Sequence, residues 1–101
     1  MHRVDDAYVY PTGLLLADRR VVVVGGGHVA QRRVPQLIAA RARVVVVAPE
    51  ISPAIEGLVG AGEASWERRA FVASDLDDTW YVIAATDDPD VNRQVSEAAE
   101  Q

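Results

Sequence analysis

Two blocks of four consecutive valines, Val21–Val24 and Val44–Val47, set the pattern of this chain. Neither alternates apolar with polar, so neither reads as a strand with one wet face. A short, β-branched, wholly apolar run bounded by breakers predicts a strand buried on both faces, as in a parallel sheet. The segment Trp80–Ala85 is a third such run. Buried helix is the competing reading, but the runs are too short for it and too rich in valine.

Between the runs the period changes. After Gly25-Gly26-Gly27, the stretch His28–Ala40 places Val29, Ala30, Val34, Leu37, Ile38 and Arg41 near helical spacing, with Gln31, Arg32, Arg33 and Gln36 opposite. Pro35 inside it removes one backbone bond and predicts a kink or local strain. Ser52-Pro53 reads as an N-cap with proline at the first helical position, opening a short helix that ends near Gly60-Ala61-Gly62. Ala64–Arg68 is a short strand, Asp75–Asp78 a turn or a single helical turn. Asp88-Pro89 opens a last helix with Val91, Val95, Ala98 and Ala99 on one face. Ahead of all this, Tyr8-Val9-Tyr10-Pro11 reads as extended, and Leu14-Leu15-Leu16 as packing before a turn at Asp18-Arg19-Arg20.

Strands alternating with helices predict an α/β, three-layer fold with a mainly parallel sheet and right-handed crossovers; the Gly25–Ala30 motif after the first strand makes it a Rossmann-like NAD(P)-binding fold. With 101 residues, no internal repeat and no linker, the expectation is one domain, residues 1–101.

Composition narrows the chemistry. All ten basic residues are arginine and there is no cysteine. Lysine Schiff bases, P-loop chemistry, thiolate nucleophiles, disulfides and cysteine metal sites are therefore excluded for this chain. A net charge of −5 argues against nucleic acid as the main partner. No apolar run approaches the ~20 residues that cross a bilayer, and no basic-then-apolar leader opens the chain, so no membrane is expected and a cytoplasmic location is. No His/Asp/Glu cluster has metal-ligand spacing, so no metal site is expected.

Gly25-Gly26-Gly27-His28-Val29-Ala30 fits G-x-G-x-x-A, the dinucleotide fingerprint with alanine in third place. Gly25 permits the tight turn out of the strand. Gly27, lacking a Cβ, lets backbone approach a pyrophosphate. Ala30 is small enough for the helix to pack on the strand, and the helix N-terminus offers free N–H groups and partial positive charge. Read as structure alone, the glycines only make a turn. A ribose-binding acid is expected ~20 residues on. Glu50, after Ala48-Pro49, is that candidate or else a solvated carboxylate ahead of a helix. Nothing basic follows the second strand, which favours NAD over NADP.

In open α/β sheets ligands lie beyond the carboxyl ends of the strands, which places Ala85, Thr86 and Asp87 at the same crevice. Asp87 or Asp88 can instead cap the helix opening at Pro89. Asn92 faces either the cleft or water. His28, at the positive end of a helix, reads as a backbone contact to cofactor, with a catalytic role as the alternative. The pairs Arg19-Arg20, Arg32-Arg33 and Arg68-Arg69 read as solvated faces, with Arg32 and Arg33 also candidates for acidic groups on a substrate. Trp66, Trp80, Tyr8 and Tyr10 read as packing, and His2 as a residue of the terminus.

At these residues the chain resembles a known family. Tyr10-Pro11, then Val22 through Arg33, then Ala42-Arg43-Val44 running into Val47-Ala48-Pro49-Glu50, then Val82 through Asn92 (VIAATDDPDVN), are similar to siroheme synthase N-terminal domains. The resemblance runs from about Tyr10 to the end. It implies an NAD-dependent precorrin-2 dehydrogenase, oxidising precorrin-2 to sirohydrochlorin, in a family where some members also insert ferrous iron and many are fused to a uroporphyrinogen-III methyltransferase. Carried over by position, the implied NAD contacts are Gly25, Gly26, Gly27, His28, Val29, Pro49, Glu50, Ala85, Thr86 and Asp87. Asp87 is the one acid–base candidate, and Arg32, Arg33 and Arg93 could meet the carboxylates of the tetrapyrrole. Arg41 stands where the family usually has the glycine that ends the first helix, so it must adopt a positive φ or the helix must end differently. The family continues past the position of Gln101 into a strand ending in an acidic residue and into its dimerisation region. The expectation is therefore the NAD-binding half of such an enzyme, with a homodimer as the assembly to test. Two rival readings remain: a non-catalytic NAD(H)-sensing module, or a support for a fused methyltransferase.

Overall fold

The computed structural model describes residues 16–100. The readings of His2, Tyr8-Val9-Tyr10-Pro11, Leu14 and Leu15 fall outside these. The chain builds β1 (Arg20–Val24), α1 (His28–Ala39), β2 (Arg43–Val47), α2 (Pro53–Gly60), β3 (Ser65–Glu67), a 3-10 turn (Ala73–Leu76), β4 (Tyr81–Ala84) and α3 (Pro89–Ala99). The 3-10 turn lies two residues earlier than the sequence pattern places it.

All strand pairs are parallel, in the order β3-β2-β1-β4. The chain steps outward from β1 to β3, then returns across β1 to lay β4 on its other side. The register pairs valine with valine: Val22 lies beside Val45 and Val82. Strand parity then sorts the core into two layers. Val21, Val23, Val44, Val46, Tyr81 and Ile83 face α1 and α2, meeting Ala30, Val34, Leu37 and Ile55. Val22, Val24, Val45, Val47, Val82 and Ala84 face the opposite side, meeting Phe71, Leu76 and Val95. Both faces being covered explains why the valine blocks do not alternate. Each fully buried valine contributes roughly 1.5 kcal/mol or more.

Helix α1 buries Ala30, Arg33, Val34 and Leu37. Arg33 therefore departs from its expected place on the polar side. It stands three residues after Ala30 and four before Leu37, inside the apolar stripe, where a long aliphatic stem can pack. Pro35 does not end the helix, which is assigned continuously through it. Proline and Gln31, whose carbonyl loses its usual donor, are both exposed, so water can serve that carbonyl. At the other end, Arg41 takes φ +64. Its N–H donates to Ile38 O at 2.9 Å and the Ala42 N–H to Leu37 O at 3.1 Å. That is a Schellman closure with arginine in the position glycine favours.

The arginine pairs are busier than solvated faces. The Arg19 guanidinium lies 4.1 Å from the centre of the Trp80 ring, and Arg68 5.4 Å from that of Trp66. Arg20 donates to Thr79 Oγ1 and Asp75 O, and Arg69 makes a two-point ion pair with Asp75.

Candidate functional site

The sheet order reverses between β1 and β4, and a crevice opens beyond their carboxyl ends, as the topology of open α/β sheets requires. The three glycines divide the work there. Gly25 leaves β1 with φ +124, and a Cβ on it would lie 2.4 Å from Ala85 O. A Cβ on Gly26 would lie 2.2 Å from Glu50 O and 2.9 Å from Ile51 Cα. The Gly26 carbonyl also accepts from Ser52 N at 2.8 Å. Both positions are thus filled by the protein's own backbone. A Cβ on Gly27 would meet nothing within 4 Å. Gly27 caps α1 without a side-chain bond, and the first turn carries no acidic residue. The first intrahelical donor is Gln31 N, bonded to Gly27 O at 2.9 Å. The N–H groups of residues 28–30 therefore have no acceptor within the helix.

The cleft of about 330 Å³ takes its lining from the exits of the four strands and from Val91 of α3. Gly25, Gly26, Gly27 and His28 form one side. Pro49 and Glu50, both exposed, follow β2. Ala70 and Phe71 follow β3, and Ala85, Thr86 and Asp87 follow β4. A second depression of about 320 Å³ shares Gly26, Gly27, His28 and Glu50 with the first and reaches Ile51 and Ser52. Together they make a continuous surface over the start of α1. The Val29 side chain packs against the core and does not line the cleft; its N–H belongs to the open first turn.

Side chains behind the lining hold it in place. Trp66 Nε1 donates to Ala48 O at 2.8 Å, fixing the exit of β2 just before Pro49-Glu50. Asn92 is half-buried and does not line the cleft: its Oδ1 accepts from Thr86 Oγ1 at 2.7 Å and its Nδ2 donates to Thr86 O at 3.0 Å. That reciprocal pair ties the exit of β4 to the first turn of α3. Asp88 is the N-cap of α3, its Oδ1 accepting from Asp90 N at 2.9 Å. Asp87 is exposed at the cleft rim. Arg93 lies on the outer face of α3, paired with Asp90, and Arg32 is exposed on α1.

Sequence reasoning missed Ala70, Phe71 and Val91 as lining residues. Phe71 sits in a stretch without period or motif, so nothing local announced it. Val91 was visible only as one position of an amphipathic helix. Among the described residues no group of three or more His, Asp or Glu side chains could hold a metal ion. Among them, too, no helix is long and apolar enough to cross a membrane.

The open first turn of α1, the empty space at the Gly27 Cβ position and the partly apolar slot beside them fit an extended ligand with a central pyrophosphate. The class so defined is a Rossmann-like dinucleotide-binding domain. Comparison with known proteins agrees. Residues 14–101 match a protein family described as "Putative NAD(P)-binding", and the chain belongs to that family. It is similar to the siroheme synthase of Sodalis glossinidius (strain morsitans), with 46% identity over 86 residues, 85% of this chain and 18% of that protein. The siroheme synthase of Actinobacillus pleuropneumoniae serotype 7 (strain AP76) is 46% identical over 85 residues, 84% of this chain and 18% of that protein. Among solved structures, "SirC, precorrin-2 dehydrogenase" superposes with a TM-score of 0.79 at 32% identity, covering 88% of this chain and 44% of that one. The chain thus spans about a fifth of the length of the curated relatives it matches.

Proposed function

We infer that this domain binds NAD and presents it for the dehydrogenation of precorrin-2 to sirohydrochlorin within siroheme synthesis. The observation that carries the reading is Gly27: a glycine with a free Cβ position at the uncapped start of a 12-residue helix, where β1 and β4 diverge. The residues 28–30 N–H groups bind the pyrophosphate, and the slot between Phe71 and Val91 takes the adenine. Glu50, exposed beside Gly26, accepts from the adenosine ribose hydroxyls, and its charge disfavours a 2′-phosphate. NAD, when bound, supplies the oxidant for the reaction. The chain's own work is orientation of cofactor against substrate. Asp87, exposed at the rim after β4, is the candidate to take up the accompanying proton. Arg32 and Arg93, both exposed, are available to the substrate's carboxylates; Arg33, buried, is not. A homodimeric, cytoplasmic enzyme belongs to the same proposal and rests on the resemblance to siroheme synthases.

Calorimetric titration of the chain with NAD and NADP tests the reading. NAD should bind, and more tightly than NADP. A folded chain that binds neither refutes it. NAD binding without precorrin-2 oxidation in the longer protein would turn the reading into that of an NAD(H) sensor.

A further inference from the structure

The cleft wall after β3 is itself neither strand nor helix, although Phe71 packs inward on the second core layer. Ala70 and Phe71 stand on that wall, within an irregular stretch between β3 and the 3-10 turn. One carboxylate fixes this stretch. Asp75 is 5% exposed. Its Oδ2 accepts from Arg69 Nη1 and from Val72 N, both at 2.8 Å, and its Oδ1 accepts from Arg69 Nη2. Those donors belong to the first and last residues of Arg69-Ala70-Phe71-Val72. The carboxylate therefore clips both ends of a short loop whose two middle residues face the cleft. Its backbone is held in turn: Asp75 O accepts from Arg20 Nη2 and Thr79 Oγ1, each at 3.2 Å. The loop is thereby tied to the start of β1, at the opposite end of the sheet.

We propose that Asp75, acting through Arg69 and the Val72 N–H, is a positioning residue for the dinucleotide cleft, holding Phe71 where the adenine of the ligand packs. This rests on the NAD reading above. Asp75 does not line the cleft, so it acts only by placing residues that do. The slot it shapes is bounded by Val24, Val47, Phe71 and Val91. An aromatic heterocycle suits such a surface, while the phosphates find their donors at the start of α1. A salt bridge with a purely structural role would raise the melting point and leave ligand affinity alone.

The test is a titration of Asp75→Asn and Phe71→Leu, singly and combined, with NAD and with AMP. Each variant is measured at a temperature where circular dichroism shows it folded. Asp75→Asn should raise the Kd for NAD and for AMP by the same factor, roughly tenfold. The double variant should bind no more weakly than Phe71→Leu alone, because the two changes act through one ring. Arg69→Gln removes the ion pair from its exposed side and should show the same ligand pattern with a smaller factor. It keeps the question open to measurement if Asp75→Asn fails to fold. Unchanged affinity in the folded variants, or additive effects in the double variant, overturns the proposal while the NAD reading stands. A folded wild-type chain that binds neither NAD nor AMP overturns both.

Discussion

Replacing Gly27 by leucine separates ligand binding from folding in a way no other glycine here allows. A side chain on Gly27 meets nothing within 4 Å, and its φ of −100, with ψ −144, lies outside the left-handed region that only glycine enters freely. The cost to folding is then mostly the loss of a favoured N-cap residue, offset by the reduced freedom of the unfolded chain: a net of about 1 kcal/mol or less. In a domain of this size that moves the melting point by at most ~4–8 °C. Binding should suffer far more. The leucine side chain would fill the space over the first turn of α1, where the pyrophosphate must approach the free N–H groups. Each charge-assisted bond lost costs about 1.5–3 kcal/mol, so even one raises the Kd for NAD by roughly 10- to 150-fold. Calorimetry gives the affinity and a thermal melt gives the folding control. An unchanged Kd in a folded Gly27→Leu chain would refute the cradle, and with it the assignment of the cleft.

The remaining predictions address the frame around that cradle. Gly25→Ala, with φ +124 and backbone 2.4 Å from the new Cβ, should lose more than about 2 kcal/mol of folding stability; a thermal melt matching wild type would show that the turn does not need glycine. Arg41→Gly relieves the positive φ at the end of α1 and should gain about 1 kcal/mol in urea unfolding, whereas a loss would mean that Arg41 contributes contacts worth more than its strain. Burial pushes the Asp75 carboxyl up, but the bonds from Arg69 and the Val72 N–H and the charges of Arg69 and Arg20 outweigh this and hold it below the ordinary range. Its stabilising contribution is therefore complete above the unfolded pKa near 4 and is lost as pH falls through the lower folded value. Since Arg69 is 44% exposed, solvent screening keeps the contribution small. The melting-point gap between wild type and Asp75→Asn should close under acid, and a gap constant down to about pH 2 would contradict this.

Much of the frame could be read from the residues because local and global demands agree. Unbroken valine runs mean two buried faces, and Gly-rich turns after such runs mean strand ends. The Ser52-Pro53 and Asp88-Pro89 pairs announced two helix starts correctly. What escaped was decided by long-range contact. Arg33 fits either side of α1 on spacing alone; its burial depends on what the rest of the fold places against that stripe. Phe71 reaches the cleft from an irregular loop that is held by Asp75 at both ends and by packing on the second core layer. Asn92 is polar in a first turn, a position that ordinarily faces water; its partner, Thr86, becomes a neighbour only when the β4–α3 turn closes. Gly26 was one glycine of three by sequence, yet its role is the packing of backbone against Glu50 and Ile51.

The charge balance of the cleft bears on how an acidic domain can hold an anionic cofactor. Among the described residues its lining includes Glu50 and Asp87 and no arginine. Side-chain cations therefore do not supply the attraction for phosphate. It has to come from the N–H groups and partial charge at the start of α1, whose first turn carries no acid to compete. Such a device is short-ranged and geometric: it rewards a phosphate that reaches the backbone and offers nothing to charge elsewhere in the cleft. A diester pyrophosphate with two charges can meet those terms while its ribose hydroxyls turn to Glu50. A 2′-phosphate brings further negative charge toward that carboxylate with no cation to receive it. On the reading proposed above, discrimination against NADP is the expected result of the same economy of charge that makes Gly27, rather than a basic side chain, the residue to test first.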